Sequence, residues 1–158
     1  MSEFTDQQKL HHYMGIEMNI QTWNLLEKEN RNKQDDVRIV NFAQASLYHW
    51  RKSHKFESVN EQRGQWMLSR VYAGLGKGKE AFSYANEASR LTNEQDLKDF
   101  DLAYSYEALT RANAAAGNKK EYAKWLEKAQ KSGALISDEE DKKCFISDLE
   151  SAPWFGCN

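Results

Sequence analysis

The amino-acid sequence predicts an all-α fold, an array of antiparallel helices. Three observations carry that reading. Apolar residues recur at helical spacing through most of the 158-residue chain. No window sustains an alternation of β-branched and polar residues bounded by turn chemistry. The only proline, Pro153, stands almost at the end, so nothing before it breaks a helix.

The elements follow in order. A first helix is expected over 5–30, with Leu10, Tyr13, Ile16, Ile20, Trp23 and Leu26 along one face, until RNKQ interrupts it. A second covers 35–54 on the stripe Val40, Ala43, Leu47 and Trp50, and a third covers 60–75 on Leu68, Val71, Tyr72 and Leu75. The fourth, over 78–92, is lined by Ala81, Ala85, Ala88 and Leu91. The fifth, over 99–116, shows Leu102, Tyr106, Leu109, Ala112 and Ala116, and the sixth, over 118–132, shows Tyr122, Trp125, Leu126 and Ala129. A seventh is announced by Ser137, expected to cap its first turn with Glu140 reaching back, and carries Phe145, Ile146 and Leu149. Seven helices with short polar links make an antiparallel array.

Composition narrows the function classes. Lys and Arg number 22 against 24 Asp and Glu, a near-neutral balance that argues against a nucleic-acid binder. No apolar run approaches the ~20 residues of a membrane span. The start, MSEFTDQQK, lacks the basic-then-apolar pattern of a secretory leader, so a cytoplasmic location is expected. Cys144 and Cys157 share no metal-ligand spacing and read as two reduced thiols.

The chain also repeats itself. LSRVYAGLGKGKEAFSYANEASRL at 68–91 aligns without gaps on LTRANAAAGNKKEYAKWLEKAQKS at 109–132, an offset of 41. Leu68 meets Leu109, Arg70 meets Arg111, Gly76 meets Gly117, Glu80 meets Glu121 and Ala88 meets Ala129.

This pattern resembles the tetratricopeptide repeat. That motif sets a large residue, Leu, a small residue and Tyr on its first helix, a Gly at the turn, and alternating small and aromatic residues on its second. Leu68, Ser69, Tyr72, Gly76, Ala81, Ala85, Ala88 and Leu91 fall on it in register. Residues 104–131 follow more loosely, with Asn113 where Tyr is usual and Tyr122 where Ala is usual. The offset exceeds the family's usual spacing, and Asn93 stands where its closing Pro belongs.

YHWRKS, RGQWMLSRVYAGLG and FDLAYSYEAL are also similar to a group of bacterial tetratricopeptide-like proteins, a resemblance that brings no activity with it. It implies one helical-repeat domain folded as a right-handed superhelix. Residues 1–58 would form a divergent helix pair, 60–92 and 99–132 the two repeats, and 137–158 a capping helix and tail.

The chemical candidates thin out on inspection. GLGKGKE at 74–80 fails as a phosphate loop, because Ala73 and Glu80 stand where that loop needs Gly and a hydroxyl, and a helix rather than a strand precedes it. A helix-ending turn at Gly76, repeated at Gly117, explains it. His11 and His12 are adjacent, so they point about 100° apart on a helix, and His49 and His54 are five residues apart. Neither pair has metal-ligand spacing. Ser69 and the cysteines lack a nucleophile elbow. The carboxylate runs, Asp35–Asp36 and Asp138–Asp141, lie at helix starts, where they favour the dipole. No cofactor or metal is called for, and no catalytic constellation remains.

What remains is a polar set placed by the repeat. In tetratricopeptide arrays the first helix of each pair lines the concave face, at positions held here by Arg63, Trp66 and Arg70, then by Tyr104, Glu107 and Arg111. Each trio has a spacing of three and four, so it shares one helix face. Two arginines with aromatic neighbours suit an anionic group. The alternative is a structural ion-pair network through Glu107, although one glutamate does not neutralise two arginines. His49, within Tyr48–His49–Trp50, is a further candidate for that face.

The first expectation is therefore a non-enzymatic module that holds a peptide or partner protein in its concave groove. The second is a sensor or enzyme enclosing an anionic metabolite in the same cluster. Tyr13, Met14, Met18 and Trp23 spread apolar surface around the first helix, which also admits a homo-oligomer through that helix.

Overall fold

A computed structural model describes residues 4–158. It holds seven helices and, among the described residues, no strand: α1 (Asp6–Leu26), α2 (Lys33–Arg51), α3 (Ser58–Gly74), α4 (Gly78–Glu94), α5 (Asp99–Ala115), α6 (Lys119–Ala134) and α7 (Glu139–Glu150). None of these is long and apolar enough to cross a membrane.

Local chemistry sets their ends. The Thr5 hydroxyl accepts from the Gln8 backbone N–H at 3.1 Å while the Gln8 side chain accepts from the Thr5 N–H at 2.9 Å, a reciprocal cap for α1. Asn32 and Asp35 do the same for α2. At α7 the expected cap is corrected. Asp138, not Ser137, accepts the first-turn N–H, from Asp141 at 2.9 Å. Ser137 instead donates its backbone N–H and hydroxyl to Asp99 at 3.0 and 2.6 Å, tying the α6–α7 link to the start of α5.

The two repeat turns close identically. Gly76 and Gly117 have φ of 72° and 75°, in the left-handed region that a side chain disfavours. The Lys77 N–H reaches the Tyr72 carbonyl and the Asn118 N–H the Asn113 carbonyl, each at 2.9 Å. This is the paired-carbonyl ending of a glycine-stopped helix. Gly78 has a different reason: a Cβ there would lie 2.6 Å from the Ala116 backbone nitrogen. The GLGKGKE stretch is a turn plus a close backbone approach.

Each helix packs on the next from α1 to α6; α3 also packs on α5, and α7 packs on both α5 and α6. Two rows result, α1, α3, α5 and α7 in one and α2, α4 and α6 in the other. The core runs through Ile39, Ala43 and Leu47 of α2, Leu68 and Val71 of α3, and Ala81, Ala85 and Ala88 of α4, then Ala108, Leu109 and Ala112 of α5 and Phe145 of α7. Alanines at the crossings let the backbones approach closely. With neighbours on several sides, α5 is buried nearly all round, from Ala103 to Ala114, except for the partly exposed Tyr106.

The apolar face of α1 points largely away from the core. Leu10, Tyr13, Ile16 and Ile20 are exposed, Tyr13 at 61%. The helix instead seats on α2 through small residues: Gly15 and Thr22 are buried, and the Ser46 hydroxyl donates to the Gly15 carbonyl at 2.7 Å. A Cβ on Gly15 would stand 3.0 Å from the Trp50 ring. Close seating on the small face turns the large apolar face outward. Only Trp23 and Leu26 of the expected stripe reach the core.

Candidate functional site

The repeat brings Trp66, Arg70, Tyr104, Glu107 and Arg111 together, but as an interior cluster rather than an open face. All five are buried, Glu107 completely. The Trp66 indole N–H donates to Glu107 Oε2 at 2.8 Å, and Arg70 Nη1 donates to Oε1 at 2.9 Å. Arg111 Nε donates to that same oxygen from the next turn of α5. Burial alone would raise the Glu107 pKa. The Arg111 and Arg70 guanidiniums and the indole N–H outweigh it and hold the carboxyl below its ordinary range.

The surplus positive charge has a partner that spacing does not reveal, the end of the chain. Arg111 Nη2 donates to the Asp148 carbonyl and, at 3.3 Å, to the Ser151 hydroxyl; Arg70 Nη2 donates to Ser151 at 2.9 Å. The Arg111 guanidinium also lies 4.1 Å from the centroid of the Trp154 ring, a cation–π contact. Burial, aided by Arg70, lowers the Arg111 pKa despite Glu107. The expectation that Arg70, Glu107 and Arg111 line an exposed groove is thereby corrected: α7 and the tail cover them.

Beside this cluster lies a half-open pocket of about 440 Å³, bordered by α1, α3, α5 and α7. Trp23, Trp66, Met67, Phe100 and Tyr104 form its apolar wall. The rings interlock, with Trp66 edge-on to Tyr104 at 4.8 Å between centroids, Phe100 at 4.6 Å from Tyr104, and Trp23 at 6.0 Å from Trp66. Such contacts fix the wall before any ligand arrives.

The polar rim comprises Asn19, Glu27, Gln62, Arg63, Asp101, Cys144 and Asp148. Arg63 is the one residue of the expected arginine set whose charge stands near solvent, and a two-point bridge to Asp101 at 2.9 and 3.2 Å holds it. That bridge is the main reason its pKa is raised. The Tyr104 hydroxyl donates to Asp148 at 2.6 Å; burial first, then Asp148, raises its pKa, so it keeps its proton.

His49 lies elsewhere, on the α1–α2 side. Its Nδ1 is 2.8 Å from Nδ1 of His11, so one ring donates and the other accepts. His12 bonds Ser53 at 2.9 Å and packs edge-on against His54 at 5.0 Å between centroids. Read along the sequence the four histidines look unrelated; pairing α1 with α2 makes two couples of them.

Trp23, Glu27, Phe100, Asp101 and Asp148 escape sequence reasoning as site residues. One signal was available: Ile16, Ile20, Trp23 and Glu27 are spaced four, three and four, a single row on α1. No family model, curated protein or solved structure matches the chain.

Proposed function

We propose that this chain is a non-enzymatic binding module of tetratricopeptide type that seats a segment of a partner protein on the face bordered by α1, α3, α5 and α7. The aromatic-walled pocket on that face is the observation that supports it. Preformed apolar clefts with a few polar groups at the rim are the usual form of binding sites. Exposed Ile16 and Ile20 extend the apolar surface beyond the pocket along α1. Within the expected contact set, Arg63, Trp66 and Tyr104 would meet the partner, while Arg70, Glu107 and Arg111 would hold the wall from behind.

A catalytic role has little support. Cys144, the thiol at the rim, neighbours the Tyr104 hydroxyl at 3.7 Å, and that protonated phenol is no base for it. An anionic metabolite finds Arg70 and Arg111 already engaged.

The test uses two surface changes that leave the core alone. Wild-type protein should retain a partner from an extract of its native host, and Asn19→Arg with Ile20→Asp should release it. A double variant that folds normally and retains the same partner contradicts the assignment of this face.

A further inference from the structure

The charged groups of the pocket are unequally engaged, and that inequality selects a ligand. Most of its donors already have acceptors within the fold, the Trp23 indole and the Asn19 amide excepted. The Trp66 indole serves Glu107, and the Tyr104 hydroxyl serves Asp148. The Gln62 amide serves Thr92 and the Asp101 carbonyl, both at 3.1 Å. Arg63, the lining cation, is clamped by Asp101.

Acceptors remain. The Glu27 carboxylate lies exposed at the C-cap of α1, without a hydrogen bond or ion pair among the described residues. Asp148 uses Oδ2 for Tyr104 and leaves Oδ1 over. Three lining carboxylates, Glu27, Asp101 and Asp148, face one guanidinium. Asp141 and Glu57 lie close enough to act on that guanidinium through space, so the surroundings are acidic as well.

We infer that this pocket receives a basic side chain of the partner, a lysine or arginine, with its stem along Trp23, Phe100 and Tyr104 and its charge at Glu27 and Asp148. The inference rests on the binding-module reading and names the class of partner it admits. An alkyl stem on apolar wall with its charge at the wet rim is how long basic side chains distribute themselves. Aromatic faces and carboxylates favour the cation together. An acidic side chain would meet the like charges of Glu27 and Asp148. Next to that residue, the partner carries apolar groups that lie on Ile20 and Ile16, since these share the α1 row with Trp23 and Glu27.

Four-carbon probes test this without the natural partner. The full chain has five tryptophans, and the indole N–H signals of Trp23 and Trp66 report on the pocket. Titration with n-butylammonium or n-butylguanidinium should move those two signals saturably, while butyrate should leave them in place. Glu27→Gln, at an exposed position, should weaken butylammonium by about two- to fivefold, and Asp148→Asn should add to it.

Butyrate acting as strongly, unchanged affinity in the double variant, or silence with every probe each overturns the basic-residue assignment. Those results leave the face assignment to the retention experiment above. A retained partner that proves to be a second copy of this chain, docked without a basic residue in the pocket, overturns it as well.

Discussion

Glu107 is the residue on which the interior cluster turns. It is the ion-pair partner of two buried guanidiniums and also accepts from the Trp66 indole that forms the pocket wall. Glu107→Gln leaves the arginines charged, because a guanidinium does not give up its proton, and removes their counter-charge. Breaking a buried pair from one side costs about 3–5 kcal/mol, so the urea midpoint should fall by the corresponding amount. A variant as stable as wild type would show that the C-terminal segment holds the arginines unaided. The sequence makes the surplus of arginine over glutamate visible, since Arg70 and Arg111 recur in register around a single Glu107. It does not show where the remaining charge goes. Ser151 and Trp154 lie far along the chain from both arginines, and only the docking of α7 brings them near.

At the scale of elements, helix periods are legible but the rotation of each helix is not always so. The alanine rows of α4 and the turns at Gly76 and Gly117 appear where their spacing places them, because close crossings and left-handed caps leave few residue choices. On α1 the seated side is not legible because apolar residues surround that helix, and Gly15 decides which side seats. The α4–α5 contact depends on Gly78, so Gly78→Ala should overpack the Ala116 backbone and lose about 1–3 kcal/mol in chemical unfolding. An unchanged midpoint would refute that close approach.

The α1–α2 contact should respond to pH. Burial first, then His54 and Lys55, lowers the His12 pKa from its ordinary 6.5; burial, then His11, lowers that of His49. The unfolded chain then binds more protons below that value than the folded chain does. Their contribution is present above 6.5 and lost as pH falls through the folded values. The melting temperature should therefore drop between about pH 7.5 and 5.5, above the range where carboxylates titrate. His12→Asn with His49→Asn should flatten the drop, and an undiminished slope would assign it to other groups.

For the whole molecule, the seven-helix array follows from the sequence, since each helix carries its own period and the links are short. The pocket is less legible because it is assembled from four helices far apart in the chain, with α1 and α7 contributing walls that no repeat register predicts. In this array α7 and the tail cover the interior arginines, and α1 leaves a gap beside α3 where the aromatic wall meets solvent. This gap is the proposed partner site. A photo-crosslinking residue placed at position 19 beside the pocket, and in parallel at position 82 on α4, tests it most directly. Position 19 should capture a partner and position 82 should not; capture at position 82 alone, or equally at both, would contradict the account.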